Sequence, residues 1–373
     1  MIAERAYDLV THDLYLRLPN FIGAPNVLLK MEGLNPAGSI KLKTALALIT
    51  DAEERGLLKP RGRVVESSSG NLGIALSMVC AVRGYSFTCI TDPKASPHSV
   101  ATMRALSANV IVVTEPDANG GYLGTRIALI KEMLRADPEL TWPNQYGNAA
   151  NSRAHWERTA TEILQAIPSV EYLFVGAGTT GTLMGCAGYF RKFSPLTRII
   201  AVDSLGSVTF GQPAGPRHVP GLGTSRLPEL CRTDNLDEIV LIEEADAIRM
   251  CRRVAGEFGL LVGGSTGSVL AAVDQLGDQI PDGATVVAIS PDLGDHYLDS
   301  VYNDEWVAER FGADVLAERS APIRRMVGAP LTEPRVPVRR MVNASLADAE
   351  LATAMATVSY LQTQTSSIRY SQL

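Results

Sequence analysis

Lys41 is the side chain most able to do chemistry. It ends the turn sequence Asn35-Pro36-Ala37-Gly38-Ser39-Ile40 and opens an Ala- and Leu-rich run that reads as a helix over residues 40–51. Asn-Pro starts a turn, Gly38 tolerates backbone geometry that other residues resist, and Ser39 can cap the helix. The positive end of a helix disfavours an ammonium. An amine held there in an apolar setting should have a lowered pKa and serve as base or nucleophile. The same pattern also suits a solvated surface lysine. Two turns of small polar residues could meet an anion. Gly178-Thr179-Thr180-Gly181-Thr182 lies between a strand and a helix, where backbone N–H groups, hydroxyls and a helix end favour a phosphate. Ser68-Ser69-Gly70-Asn71 precedes another apolar helix and offers similar donors, or else forms a plain helix cap through Ser69. The run Gly176-Ala177-Gly178-Thr179-Thr180-Gly181 does not make a clear dinucleotide fingerprint. Asp203, the acidic residue that would meet the ribose, is somewhat far along, which leaves a nicotinamide reading open.

Such turns need a sheet to hold them. Strand-like runs at residues 63–66, 86–91 and 109–114 alternate with helix-like runs at 72–82, 121–135 and one capped by Ser96 that extends to Ser107. The alternation resumes with a helix at 152–167 and strands at 172–176, 198–203, 238–242 and 285–290. Helices at 182–193, 244–257 and 301–311 lie among and after them. Strand and helix at this spacing imply parallel α/β sheets. A short strand at 26–31 precedes the lysine turn. Residues 205–226 are rich in Gly and Pro and read as irregular structure, part of a lid or an interface. After residue 312 the chain becomes a charged, proline-marked linker with Arg324-Arg325, Pro330, Pro334, Pro337 and Arg339-Arg340. An Ala-rich helical stretch follows at 344–361. This tail is expected to be disordered or loosely docked, with a partner-binding helix as the alternative.

Composition narrows the partners. The 373 residues are 46% apolar and 20% charged, which suits a globular chain of two domains and a tail. A formal net charge of −6 favours neither nucleic acid nor an anionic membrane. The five cysteines are scattered, without metal-ligand spacing, so neither a metal nor a disulfide framework is expected and a reducing cytoplasm is. There is no signal-peptide pattern and no apolar run long enough to span a bilayer.

The lysine turn, the Ser68–Asn71 loop with Leu72-Gly73, the 178–182 turn and Gly263-Gly264-Ser265-Thr266-Gly267 occur in the order of the fold-type II pyridoxal 5′-phosphate (PLP) enzymes, the cysteine synthase family, and resemble their motifs. The resemblance runs to about residue 311. It implies two doubly wound α/β domains of the tryptophan synthase β-like type, plus a C-terminal tail. Residues 1–34 and 146–311 would be a large PLP domain, 35–145 a small mobile substrate-binding domain, and 312–373 linker and tail. It implies that Lys41 forms the Schiff base with PLP and that Asn71 touches the cofactor's 3′-oxygen. Gly178, Thr179, Thr180, Gly181 and Thr182 would hold the phosphate. Ser265 would bond the pyridine nitrogen, and a serine there leaves that nitrogen largely neutral, favouring β-elimination over transamination. Ser68, Ser69, Gly70 and Gln145 would hold the substrate's α-carboxylate, with Tyr146 lining the pocket or simply half-buried beside it. Leu72 stands where cysteine synthases usually carry threonine, which speaks against plain cysteine synthase activity.

Three stretches are similar to one branch of that family: Glu115-Pro116-Asp117-Ala118-Asn119-Gly120-Gly121-Tyr122-Leu123, residues 203–210 with Ser207-Val208, and Ser290-Pro291-Asp292 with Gly294-Asp295 and Tyr297-Leu298-Asp299. The branch makes N-(2-amino-2-carboxyethyl)-L-glutamate from O-phospho-L-serine and L-glutamate, supplying 2,3-diaminopropionate to siderophores and peptide antibiotics, and the family is usually homodimeric. A departing phosphate carries roughly two negative charges. Arg126 is the first candidate to meet it. Lys43 is the second, in a Lys41-Leu42-Lys43 run that replaces the branch's usual Lys-Asp-Arg. The resemblance leaves two alternatives: a sulfide-using cysteine synthase or O-phosphoserine sulfhydrylase, and a catalytically silent regulator with the same fold.

Overall fold

A computed structural model describes residues 2–10, 13–117 and 120–317. The tail expectations therefore lie outside the described residues. Two sheets organise the rest. The first contains β1 (Tyr15–Leu18), β2 (Asn26–Met31), β7 (Tyr172–Gly176), β8 (Arg198–Ser204), β9 (Glu238–Ile242) and β10 (Thr285–Ser290), in the order β1-β2-β10-β7-β8-β9. Only β1 runs antiparallel, on the sheet's edge against β2. The second contains β3 (Arg63–Ser67), β4 (Ser86–Thr91), β5 (Asn109–Val112) and β6 (Leu140–Thr141), in the order β5-β4-β3-β6, all parallel. Central strands such as β7 and β10 are apolar on both faces because helices cover both.

The helices on the second sheet are α1 (Lys41–Glu54), α2 (Asn71–Arg83), α3 (Pro97–Ala105) and α4 (Leu123–Ala136). The chain then crosses through α5 (Ala149–Ala154), a π-turn at His155–Ala160 and α6 (Thr161–Ala166). The first sheet carries α7 (Gly181–Phe193), α8 (Glu244–Phe258), α9 (Gly264–Gln275), α10 (Asp304–Phe311) and α11 (Asp314–Ala317). Helix α9 is buried over most of its length, and its Gly-, Ser- and Ala-rich start concealed it from sequence reading. The strands β1 and β6 were missed because both are very short. Helix α10 begins three residues later than expected, after a 3-10 turn at Gly294–Tyr297. Residues 205–226 contain neither helix nor strand, as their Gly and Pro content implied.

One apolar core lies under α1–α3, with Leu42, Leu48, Ile74 and Phe87 in it; another lies between β2, β7–β10 and α8–α9. Fully burying each such side chain contributes about 1.5–3 kcal/mol. The topology sets the site. In parallel sheets, ligands gather outside the carboxyl ends of strands. The lysine turn follows β2, the Ser68–Asn71 loop follows β3, the Gly-Thr turn follows β7, and Pro291-Asp292 follows β10.

Candidate active site

The lysine turn is built by side-chain bonds to backbone. Asn35 donates from Nδ2 to the carbonyls of Glu32 and Ser39, both at 2.9 Å, and accepts from Ala37 N at 3.0 Å. Gly38 adopts φ +68°, and a Cβ there would lie 3.0 Å from the His296 ring. The Ser39 hydroxyl accepts from Lys41 N at 3.3 Å, although Ile40 is the boundary residue and supplies no side-chain cap. Ile40 N donates to Pro291 O at 2.7 Å, so the end of β10 fixes where α1 starts. The Lys41 amine points to the other anion turn, with Nζ 3.4 Å from Thr179 Oγ1. Burial pushes its pKa down to about 8. A buried lysine that gives up its proton more readily than usual therefore faces the 178–182 turn.

That turn is under strain. Thr180 sits at φ +64°, where a β-branched residue costs about 1–3 kcal/mol, and its buried hydroxyl has no partner among the described residues. Gly181 is required by close approach, because a Cβ there would collide with the Asn151 side chain. Asn151 ties the pieces together. Its Nδ2 donates to Gln145 O at 2.8 Å and Thr179 Oγ1 at 3.2 Å, and its Oδ1 accepts from Thr44 Oγ1 at 3.1 Å. On the far side, Gly221 lies between Gly178 and Ser265. Its carbonyl would be 2.8 Å from a Cβ on Gly178, and a Cβ of its own would be 3.3 Å from Ser265 Oγ.

The Ser68–Asn71 loop is capped by Ser68, not Ser69. Ser68 Oγ accepts from Gly70 N at 3.3 Å and Gly73 N at 3.0 Å. Ser69 and Gly70 remain half-buried at the cleft. Gln145 joins the loop through Nε2 to Ser67 O at 2.8 Å. The buried Glu66 holds both from below, accepting from Ser67 N, Trp142 Nε1 and Gln145 N, and burial raises its pKa to about 7. Asn71 donates to Asp292 Oδ2 at 2.7 Å, which links the second sheet's helix to the end of β10. Leu72 is packed in the apolar core beneath α1–α3, so its departure from threonine places no bulk in the cleft.

Arg126 and Lys43 part company here. Arg126 is 7% exposed; its Nε lies 3.4 Å from Asp92 Oδ2, and Nε and Nη1 have no hydrogen-bond acceptor among the described residues. It acts on half-buried Tyr146, whose hydroxyl pKa is raised by burial and drawn back first by Arg126. Lys43 is instead locked in a buried quartet. Its Nζ meets Glu32 at 2.9 Å and Glu162 at 2.6 Å, and Lys30 meets the same two carboxylates at 3.4 and 3.0 Å. The expectation that Lys43 meets the leaving phosphate is therefore corrected: its charge is spent elsewhere.

Sequence reading also missed His155. Burial, with Lys41 and Lys43 nearby, holds its pKa well below the ordinary value, so the ring is neutral. Lys43 can only donate, here to Thr159 Oγ1 at 3.4 Å. The Thr44 hydroxyl donates to Asn151 Oδ1, so its contact with the ring is made by a proton on Nε2, and Nδ1 accepts from Thr159 Oγ1 at 3.0 Å. Nε2 lies 3.1 Å from Thr44 Oγ1 and 3.2 Å from Thr182 Oγ1. Thr182 is left free to donate its own proton to an anion. The signal for this contact was the spacing of Gly181, Gly185 and Gly188 on α7, a helix face made small where Asn151, His155 and Trp156 press on it.

The whole arrangement matches a known family. The family model described as pyridoxal-phosphate dependent enzyme matches residues 14–292. The chain belongs to that family. It is 43% identical over 283 residues to N-(2-amino-2-carboxyethyl)-L-glutamate synthase of Ralstonia nicotianae, covering 76% of this chain and 84% of that protein. Among solved structures it is similar to O-ureido-L-serine synthase, with TM-score 0.74, 30% identity and coverage of 83% of this chain and 100% of the other. It is also similar to an O-acetylserine dependent cystathionine beta-synthase from Helicobacter pylori, with TM-score 0.76, 28% identity and coverage of 81% and 100%. The protein is a PLP-dependent β-substitution enzyme of the cysteine synthase family, with two α/β sheets of the expected type. The nicotinamide reading falls: Asp203 is buried and accepts from Ser204 N. The residues present fit the cofactor. An orphaned Thr180 hydroxyl and a glycine-lined helix start suit a phosphate, and a Lys41 amine with lowered pKa suits an aldehyde. Among the described residues no group of His, Cys, Asp and Glu could hold a metal, and no helix is long and apolar enough to cross a membrane.

Proposed function

We propose that this enzyme replaces the phosphate of O-phospho-L-serine with the α-amine of L-glutamate. The products are N-(2-amino-2-carboxyethyl)-L-glutamate and phosphate, an early step towards L-2,3-diaminopropionate for siderophore or peptide natural products. One observation carries the choice of substrate: Arg126 is buried within electrostatic reach of Tyr146, and beyond a 3.4 Å ion pair with Asp92 its Nε and Nη1 make no hydrogen bond among the described residues. Buried guanidinium donors left without a hydrogen bond are costly, and a dianionic phosphate on the substrate would accept from them. The likeness to the Ralstonia nicotianae synthase points the same way.

PLP, when bound, supplies an electron sink that acidifies the substrate's α-proton and eases loss of its β-substituent. Lys41 would hold it, with Gly178, Thr179, Thr180, Gly181 and Thr182 on the phosphate, Asn71 on the ring oxygen and Ser265 on the ring nitrogen. The chain's own residues do the rest. Ser68, Ser69, Gly70 and Gln145 hold the substrate's α-carboxylate. The Lys41 amine takes the α-proton, which its lowered pKa permits near neutrality. Arg126 neutralises the departing phosphate, and the glutamate amine then bonds to Cβ. Residues 35–145, the second-sheet unit, would be the part that closes over substrate, in a cytoplasmic homodimer.

Mass spectrometry of the product from purified enzyme, O-phosphoserine and glutamate tests the reading. The expected mass is that of the glutamate adduct. Product with sulfide alone would make the enzyme an O-phosphoserine sulfhydrylase instead. Arg126→Gln should lower kcat/KM for O-phosphoserine by roughly 10²-fold, and far less for O-acetylserine, whose leaving group is not a dianion.

A further inference from the structure

Glutamate brings two carboxylates into a cleft whose other cations are already committed. Lys30 and Lys43 are locked in the buried quartet, and Arg126 is assigned to phosphate. Arg226 pairs with Glu229 at 3.4 Å, with about half of each side chain exposed. Arg217 is different. It lies on the irregular strap between β8 and β9, and the strap runs along the cofactor site. Gly223 N donates to Ala177 O at 2.9 Å, just before the phosphate turn, and Gly221 touches both Gly178 and Ser265. The Arg217 side chain folds back over Gly223, where a Cβ would collide with Nη1. That nitrogen donates to Leu222 O at 3.1 Å, and this fixes the plane of the guanidinium. Nε is buried without an acceptor. Nη1 supplies the only hydrogen bond this side chain makes among the described residues, so the Nε–Nη2 edge is unused. This is the edge that takes a carboxylate side-on with two bonds. The neighbouring carboxylates act on Arg217 through space without bonding it: Asp203 accepts from Ser204 N through Oδ1 and leaves Oδ2 without a hydrogen bond among the described residues, and Glu244 accepts from His218 N and Val219 N. Tyr146 feels the charges of both Arg126 and Arg217.

We infer that Arg217 forms the subsite for a carboxylate of the incoming amino-acid nucleophile, its Nε–Nη2 edge binding that carboxylate while Arg126 serves the phosphate of the first substrate. The inference rests on the reading given under Proposed function, and the two halves of the reaction separate them. With holoenzyme, O-phosphoserine alone should change the cofactor absorbance at the same rate, within about 2-fold, in wild type and in Arg217→Gln. The KM for glutamate should rise at least about 10-fold in Arg217→Gln, the cost of one charge-assisted pair. Arg217→Lys, which keeps the charge but not the fork, should fall between. The preference for glutamate over glutamine or alanine as nucleophile should shrink in the Gln variant if the γ-carboxylate is the one held, and stay constant if it is the α-carboxylate. Either result supports the subsite, provided the glutamate KM has risen. An unchanged glutamate KM, or equal loss in both half-reactions, would overturn the subsite while leaving the function intact. Wild-type enzyme that turns over with sulfide and not with glutamate would overturn both. Thermal melts of both variants keep a folding defect from being taken for a binding one.

Discussion

Lys41 and Lys43 are two residues apart on the first turn of α1, and the fold gives them opposite surroundings. Two helix positions differ by about 200°, so the two side chains leave the helix on nearly opposite faces. Among the described residues the Lys41 amine meets no carboxylate: burial alone moves its pKa, to about 8, and a threonine hydroxyl is its only bonded neighbour there. Lys43 meets two carboxylates, shared with Lys30, in a region as dry as the core. Isolation makes the first amine reactive, and pairing makes the second inert. The second is not idle, however. Contacts through Thr159 and His155 join it to Thr182, so the structural lysine is linked to the turn that faces the reactive one.

The largest expected effect breaks the reactive half. Lys41→Ala should abolish turnover by well over the roughly 10²–10⁴-fold ascribed to a general base, and should leave the purified protein without the yellow absorbance of the parent. Compared with cofactor-free parent, its melting temperature should not fall. The structural half responds differently. Glu162→Gln leaves Lys43 and Lys30 facing one carboxylate instead of two, and should cost about 3–5 kcal/mol in urea unfolding. If that variant loses activity before it loses stability, the separation of roles between the two lysines is wrong.

The contrast sharpens in cofactor-free protein. The folded pKa of Lys41, about 8, lies below the unfolded value of 10.5, so the fold resists its protonation. Below pH 8 both states are protonated and the folded state bears the full penalty. As pH rises from about 8 to 10.5 the penalty is relieved. Lys41→Met should therefore stabilise the cofactor-free protein at pH 7, by about 1–3 kcal/mol, and the gain should fade towards pH 10.5. Lys43→Met should destabilise it. Unfolding curves at three pH values check both signs.

How much of this was legible follows from distance along the chain. The lysine turn and the 178–182 turn were readable because their chemistry is local: Asn35 bonds within four residues, and a strand, a glycine turn and a helix are consecutive. The fate of Lys43 was not readable, because Glu32 is 11 residues away and Glu162 119. Leu72 was read as speaking against plain cysteine synthase activity, yet its side chain is packed in the apolar core. Helix rotation decides that, and the serine loop before it does not reveal the phase. Asn151 and His155 looked like ordinary helix residues. Only the packing of α5 and the π-turn against α7 turns them into partners of Thr179 and Thr182.

The relay between the two lysines supplies the smallest and most specific effect. His155 is neutral, and the Thr44 hydroxyl, already donated to Asn151, calls for a proton on Nε2, so a replacement must reproduce both a ring acceptor and a ring donor. His155→Phe keeps the bulk against α7 and removes both. It should strand the hydroxyls of Thr159 and Thr182, lowering PLP affinity by roughly 5-fold, the equivalent of one net hydrogen bond of about 1 kcal/mol. Titrating cofactor-free protein with PLP and following the absorbance measures this directly. Glu162→Gln should leave PLP affinity closer to wild type, because Lys43 still has Glu32 and still donates to Thr159. Equal loss of affinity in the two variants would mean that the quartet, not the histidine, sets the order of the phosphate turn, and the path from Lys43 to Thr182 would have to run through packing instead of hydrogen bonds.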